Sequence, residues 1–267
     1  MIDATRGILY PARLPEFHRL PAPAEAAELV AWFWIPEWNL DPGRSSRQEV
    51  VSYPALNLVV QAEEGASLAG ATTRASHRDL VGRGWVVGAL LRPAAVAALI
   101  EDPAALVDAE RAVDEPVLRT AVTAAMAAGE GHRERAVEEF AHWLAARVGT
   151  VSEPARHANA MADLLMMDSS VRTPAQAAAR LAVSERTLQR MAHRHVGLSP
   201  AAMIRRRRLQ EAAQRVRDDH SVDLATIAAE YGFADHAHLS NEFRTALGFT
   251  PSAYRSGVRS SGAPLAP

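Results

Sequence analysis

The feature that most restricts how this chain can fold is a pattern of helix starts and stops occurring twice between Thr173 and Arg255. The first copy reads AAARLAVSERTLQRMAHRHVGLSPAAM, from Ala177 to Met203, and the second IAAEYGFADHAHLSNEFRTALGFTPSAY, from Ile227 to Tyr254. Val183 and Phe233 lie 50 residues apart, while Leu188 and Leu239, Gly197 and Gly248, and Pro200 and Pro251 each lie 51 apart. Matching punctuation at a fixed period means one supersecondary unit built twice.

Local chemistry makes each unit a helix-turn-helix. Thr173 caps a helix with Pro174 at its first position and Gln176 three residues on, and Ser184 caps a second helix that runs to Arg194 or His195. Gly197 suits the left-handed position after that helix, and Ser199-Pro200 opens the next. In the second unit Asp223 caps, Gly232 turns, Asp235 caps His236 to Leu247, and Thr250-Pro251 opens a last short helix. Between the units a helix from about Pro200 to Arg217 carries Met203, Ile204, Leu209, Ala212, Ala213 and Val216 on an apolar side. Its eighteen residues span roughly 27 Å, which, with the width of the flanking helices, places two second helices about one DNA turn apart.

Residues 173–255 resemble the DNA-binding domain of the AraC/XylS family of bacterial transcription regulators. The matching pieces are Ser184-x-x-x-Leu188-Gln189-Arg190, Gly197-x-Ser199-Pro200, Arg207 and Leu209, Ile227-Ala228, Tyr231-Gly232-Phe233, Phe243, and Gly248-Phe249-Thr250-Pro251-x-x-Tyr254-Arg255. The resemblance implies double-stranded DNA as partner, RNA polymerase beside it, and a small-molecule effector or a homodimer contact at the amino-terminal end.

Charge divides along the same line. Residues 173–255 hold 12 Arg against 8 Asp plus Glu, a balance of +4, so the net charge of −2 leaves −6 for the rest. A basic module on an acidic partner suits contact with nucleic acid through one part only. All 29 basic residues are arginine, which reflects genomic composition more than function. No cysteine is present, which excludes disulfides, thiolate metal sites and cysteine nucleophiles. No apolar run approaches a membrane span, and the amino terminus lacks a signal peptide's pattern, so a cytoplasmic location is expected.

The amino-terminal half reads as β-rich to about residue 113 and helical over 114–150. Residues 1–28 form a proline-rich lead-in, Leu29 to Trp38 a strand, and residues 39–47 a polar turn. Val50 to Tyr53 and Leu56 to Val60 are strand pieces on either side of Pro54, followed by pieces at 67–71 and 76–81. Gly84 to Leu91 reads as a central strand and Pro93 to Ile100 as a short helix. A helix is expected over 131–148, a linker over 149–158, and a further helix over 159–167. The fold class is therefore α+β: a β-rich domain with a helical connector (1–150), then an all-α domain with two helix-turn-helix units joined by a long helix (155–258). Trp34, Pro54-x-x-Asn57-Leu58, Gly70, Gly82-x-Gly84-x-x-x-Gly88 and Arg92-Pro93 resemble an uncharacterised domain that precedes AraC-type helices in actinobacterial regulators.

Candidate DNA-reading residues follow from helical spacing. Arg186, Gln189, Arg190 and His193 share one face of the first unit's second helix, where Gln suits adenine and Arg suits guanine or phosphate. The matching positions in the second unit are His236, Ala237, His238, Ser240 and Asn241. They depart from the family's usual glutamine, serine and arginine, and Asn241 can reach an adenine or a phosphate. His236 and His238 point in different directions and cannot share a metal. An effector pocket is assigned to Trp34, Tyr53, Asn57 and Arg92, aromatic surface with a few polar groups on strands. The spacing of Gly82-x-Gly84-x-x-x-Gly88 is wrong for a nucleotide loop, and neither a Gly-x-Ser-x-Gly elbow nor a His-Glu-x-x-His motif is present. The chain calls for no cofactor and no catalysis. The alternative, an unrecognised enzyme fused to the module, would in the related alkyl-transfer regulators need a cysteine acceptor, which is lacking.

Overall fold

A computed structural model describes residues 16–50 and 54–260. The amino-terminal half is built on β1 (Glu16–Leu20), β2 (Val30–Asn39), β3 (Ser45–Val50), β4 (Asn57–Gln61), β5 (Gly65–Ala69), β6 (Ser76–Val81), β7 (Arg83–Leu91) and β8 (Glu110–Val113). Six of these form an antiparallel sheet in the order β1-β2-β7-β4-β5-β8, and β3 pairs with β6 as a separate ribbon. The helices are α1 (Pro93–Leu99), α2 (Pro116–Met126), α3 (His132–Val148), α4 (Glu153–Met167), α5 (Pro174–Arg180), α6 (Glu185–Val196), α7 (Pro200–Asp218), α8 (Leu224–Glu230), α9 (His236–Leu247) and α10 (Pro251–Ser260). The α+β class and the order of its parts are as expected.

Alternation along the strands sorts side chains onto two faces. Phe33 and Ile35 of β2, Leu58 and Val60 of β4, Leu68 of β5, and Val87, Ala89 and Leu91 of β7 point inward. There they pack under α2 and α3 with Leu118, Val122, Phe140 and Leu144. Phe33 meets Phe140 edge-on at 5.4 Å, and full burial of such a side chain stabilises the fold by about 1.5–3 kcal/mol.

The outer face carries Trp34 and Trp38, and two glycines make room for them. Trp34 lies opposite Gly88 and Trp38 opposite Gly84. A Cβ on Gly88 would stand 2.1 Å from the Trp34 ring, and one on Gly84 2.4 Å from Trp38. Gly84-x-x-x-Gly88 is thus a seat for two indoles lying across the sheet.

Several short elements differ from expectation. β1 forms inside the expected irregular lead-in, pairing Glu16 with Glu37 and Leu20 with Phe33. The polar turn is confined to residues 40–44, because β3 starts at Ser45 and is tied to β6 by the Arg47–Asp79 ion pair at 2.8 Å. Of the expected 50–53 strand piece, residues 51–53 lie outside the described residues. The expected 149–158 linker shrinks to Gly149–Ser152, because Ser152 caps α4 and Pro154 sits in its first turn, where its missing N–H is no loss.

Candidate nucleic-acid interface

Each helix of the two units starts where a side chain can hold its free amides. Thr173 and Gln176 close a reciprocal capping box on α5, Ser184 accepts from Thr187 N on α6, and Ser199 from Ala202 N on α7. Asp223 and Asp235 do the same for α8 and α9, and Thr250 for α10. The turns repeat as well. Val183 N donates to Ala178 O at 3.0 Å and Phe233 N to Ala228 O at 2.8 Å. The residue before each takes positive φ, +53° at Ala182 and +71° at Gly232. Ala182 thus holds a conformation that a side chain disfavours by about 1–2 kcal/mol.

Leu188, Ala192 and Val196 bury the inner face of α6, and Leu239, Phe243 and Ala246 that of α9. The long helix α7 serves both cores, Met203 and Ile204 going to the first and Leu209, Ala212, Ala213 and Val216 to the second.

The arginine run on α7 is mostly structural. Arg207 is fully buried and donates to the carbonyls of Leu165, Asp168 and Val171, anchoring the end of α4. Arg208 donates to Tyr231 O and Gly232 O and lies over the Phe233 ring at 4.8 Å. Arg206 donates to Ala246 O at 3.3 Å, and burial lowers its pKa to about 10, partly countered by Asp108. Arg205 is the exposed member, 3.6 Å from Glu242.

The outer face of α6 presents Arg186, Gln189, Arg190 and His193, all exposed, and none of these side chains makes a hydrogen bond or ion pair among the described residues. On α9, His236 and Ala237 are exposed, whereas Ser240 is half-buried. His238 is engaged within its own unit. Its Nδ1 accepts from Ala234 N at 3.2 Å, and its ring meets Phe233 edge-on at 5.5 Å. Asn241 Oδ1 accepts from Arg244 at 3.1 Å. Arg244 is exposed on the same face; its three-residue spacing from Asn241 is the sequence signal that locates it.

In the amino-terminal half, Trp34 and Asn57 are brought together, Trp34 Nε1 donating to Asn57 Oδ1 at 3.0 Å. Arg92 does not join them and pairs with Asp163 of α4. Tyr53 lies outside the described residues. Glu16, His18 and Glu37 bring ligand atoms within 4.8 Å of one another. The Arg133 guanidinium already bridges both carboxylates, and His132 Nε2 is 3.0 Å from Glu37.

The two halves meet along a continuous seam. Trp32, Ala71 and Leu90 from the sheet side share one core with Leu165, Leu188 and Met203. Asn159 of α4 accepts from Ala94 N at 2.9 Å and donates to Glu28 O at 2.8 Å. His195, at the end of α6, lies 3.3 Å from Pro93 O; burial lowers its pKa, opposed in part by that carbonyl. Gly197 abuts the 3-10 turn Pro103–Leu106, and Ala75 N donates to Thr245 O at 3.4 Å.

Two capped helix pairs on one shared helix, each with its second helix facing outward, define a double helix-turn-helix protein. Residues 177–257 match the family model for a helix-turn-helix domain, and residues 18–111 that for a domain of unknown function (DUF6597). The HTH-type transcriptional activator RhaS of Escherichia fergusonii is 43% identical over 79 residues, 29% of this chain and 28% of that protein. RhaS of Pectobacterium carotovorum is 36% identical over 76 residues, 28% of this chain and 27% of that protein. The match therefore spans less than a third of these curated relatives' length. ToxT from Vibrio cholerae O395, solved with (E)-4-(8-methylnaphthalen-1-yl)but-3-enoic acid, aligns over 85% of this chain and 99% of its own at 10% identity, with a TM-score of 0.46. Over residues 177–257 the chain is therefore similar to the helix-turn-helix domain of these transcriptional activators. No described helix is long and apolar enough to cross a membrane.

Proposed function

We propose that the chain is a sequence-specific, non-enzymatic DNA-binding transcription regulator of the cytoplasm, in which residues 155–258 read the duplex and residues 1–150 adjust that reading. The exposed, unpartnered face of α6 carries this conclusion. Arg186, Gln189, Arg190 and His193 stand on a helix that its own core holds rigid, with donors and acceptors free for base edges and phosphates. The 19 residues of α7 set the second unit about 28 Å along, close to one DNA turn of about 34 Å once helix width is added. Among the second unit's candidates, His236, Ala237 and Asn241 stay in the reading and Ser240 lies at its margin. His238 supports the turn that presents them.

The amino-terminal domain takes a small-molecule effector over the outer sheet face, where the Trp34–Asn57 pair lies next to the seam with the first unit. RNA polymerase, and a second copy of the chain at paired sites, complete the reading.

The test is selection of bound duplexes from a random pool by the purified full chain at fixed salt. Two sequence blocks about one turn apart are expected, the stronger under α6. A pool that stays random through successive rounds overturns the proposal.

A further inference from the structure

A free asparagine amide offers one acceptor and one donor side by side, which matches the N6 amino group and N7 of adenine. On α9 that acceptor is in use. Arg244, three residues along the same exposed face, donates to Asn241 Oδ1 at 3.1 Å, and neither side chain has another hydrogen-bond partner among the described residues. With Oδ1 engaged, the amide nitrogen is the end of Asn241 left without a hydrogen-bond partner among the described residues, next to a guanidinium that has further N–H groups to donate. A second donor such as adenine N6 would have to approach Oδ1 beside a positive charge.

The neighbouring candidate offers no competing acceptor. The Nδ1 of His238 receives Ala234 N and its ring leans on Phe233. Ala237 has only a methyl group, and Glu242, which could supply an acceptor, is half-buried beside Arg205 and His238. Thr245, one turn further on, carries an exposed hydroxyl that can turn to donate, so the fixed groups beside Asn241 on this surface are donors.

We propose that Asn241 and Arg244 act as one donor-only unit that selects guanine, through O6 and N7, and discriminates against adenine at one position of the second half-site. Guanine alone presents two acceptors side by side in the major groove; thymine presents one, and cytosine an amino donor. Arg244 is then a specificity-determining residue, because it decides which end of the Asn241 amide faces the DNA. This rests on the reading of α9 as a groove-facing helix.

The experiment uses the full chain and a duplex obtained by selection, with all four bases placed in turn at each position of both half-sites. Wild type, Arg244→Ala and Asn241→Ala are compared at fixed salt, with circular dichroism confirming the fold of these exposed-site variants. Wild type is expected to favour guanine over adenine at one second-half position by about ten- to a hundredfold, the range of one bidentate pair. Arg244→Ala frees Oδ1, so the guanine-to-adenine ratio there should fall at least about tenfold or invert, with first-half preferences unchanged. Asn241→Ala should flatten the preference at that same position. If Arg244→Ala instead weakens all sequences alike and lowers the salt slope by about one, the residue is a phosphate contact and the proposal fails. A wild-type preference for adenine also overturns it. Absence of any base preference in both half-sites overturns the DNA-reading proposal itself, whereas absence confined to the second half overturns only this one.

Discussion

Substitution of Gly197 by alanine, set against the same change at Gly248, measures how firmly the first helix-turn-helix is seated on the amino-terminal domain. The two glycines follow α6 and α9 in nearly identical conformations, φ 81°, ψ −1° and φ 83°, ψ −4°. A side chain in this left-handed region costs about 1–2 kcal/mol, so that strain is common to both variants. Their surroundings differ. A Cβ on Gly197 would lie 2.8 Å from Ala104 Cα and from Pro103 O, backbone atoms of the other domain that cannot swing aside. On Gly248 the nearest atom is Ala75 Cβ at 3.4 Å, an ordinary contact. Overpacking of the first kind costs about 1–3 kcal/mol. Gly197→Ala should therefore lose about 2–5 kcal/mol and Gly248→Ala about 1–2. Urea unfolding of the full chain followed by far-ultraviolet circular dichroism supplies both numbers. Tryptophan fluorescence reports the seam, because Trp32 and Trp34 pack against the shared core. Costs equal to within about 0.5 kcal/mol, the scatter of near-neutral substitutions, would refute the seating of Gly197 on the 3-10 turn.

Arg207→Met removes the donor to three carbonyls and should cost about 3–5 kcal/mol by urea unfolding, with Arg207→Lys recovering only part because an ammonium lacks the planar fork. Gly88→Ala places a Cβ against the Trp34 ring and takes Asn57 from its partner. Overpacking and a buried unsatisfied amide together amount to about 2–6 kcal/mol, with a changed near-ultraviolet tryptophan spectrum; an unaltered spectrum would count against the indole seat. At Glu37, burial raises the carboxyl pKa, but the bonds from Arg133 and His132 outweigh it and hold the group below its ordinary 4.5. The folded value being the lower one, this contribution is complete above the unfolded pKa and is lost as pH falls through the folded value. Wild type should thus lose more stability than Glu37→Gln between about pH 5 and pH 3, and parallel curves would contradict the assignment.

The helical half was legible because its determinants are local. Thr173 with Gln176, Ser184, Ser199, Asp223, Asp235 and Gly197 act on amides within four residues, so spacing alone reveals them. The free face of α6 was readable for the same reason, as a three- and four-residue rhythm of polar side chains. On α9 that rhythm leaves one thing unsaid, whether a side chain is already engaged nearby, as His238 is by Ala234. The edge strands escaped because β1 and β3 are short and polar and are defined by partners up to tens of residues away, such as Asp79 for Arg47. Gly84 and Gly88 announced a constraint whose cause lies across the sheet, in Trp38 and Trp34. The seam was invisible for the same reason, since Asn159 and Arg92 find their partners 65 and 71 residues away.

Because α7 lends side chains to both helix-turn-helix cores, it also acts as a gauge. One residue inserted between Ile204, in the first core, and Leu209, in the second, would rotate one unit against the other by about 100° and advance it about 1.5 Å. No small adjustment of α7 could correct such a turn. Under the proposed function, the bases recognised can drift freely through exposed positions such as Gln189 or Asn241. The interval between the two blocks cannot, and an altered interval must be absorbed by twisting or bending of the DNA.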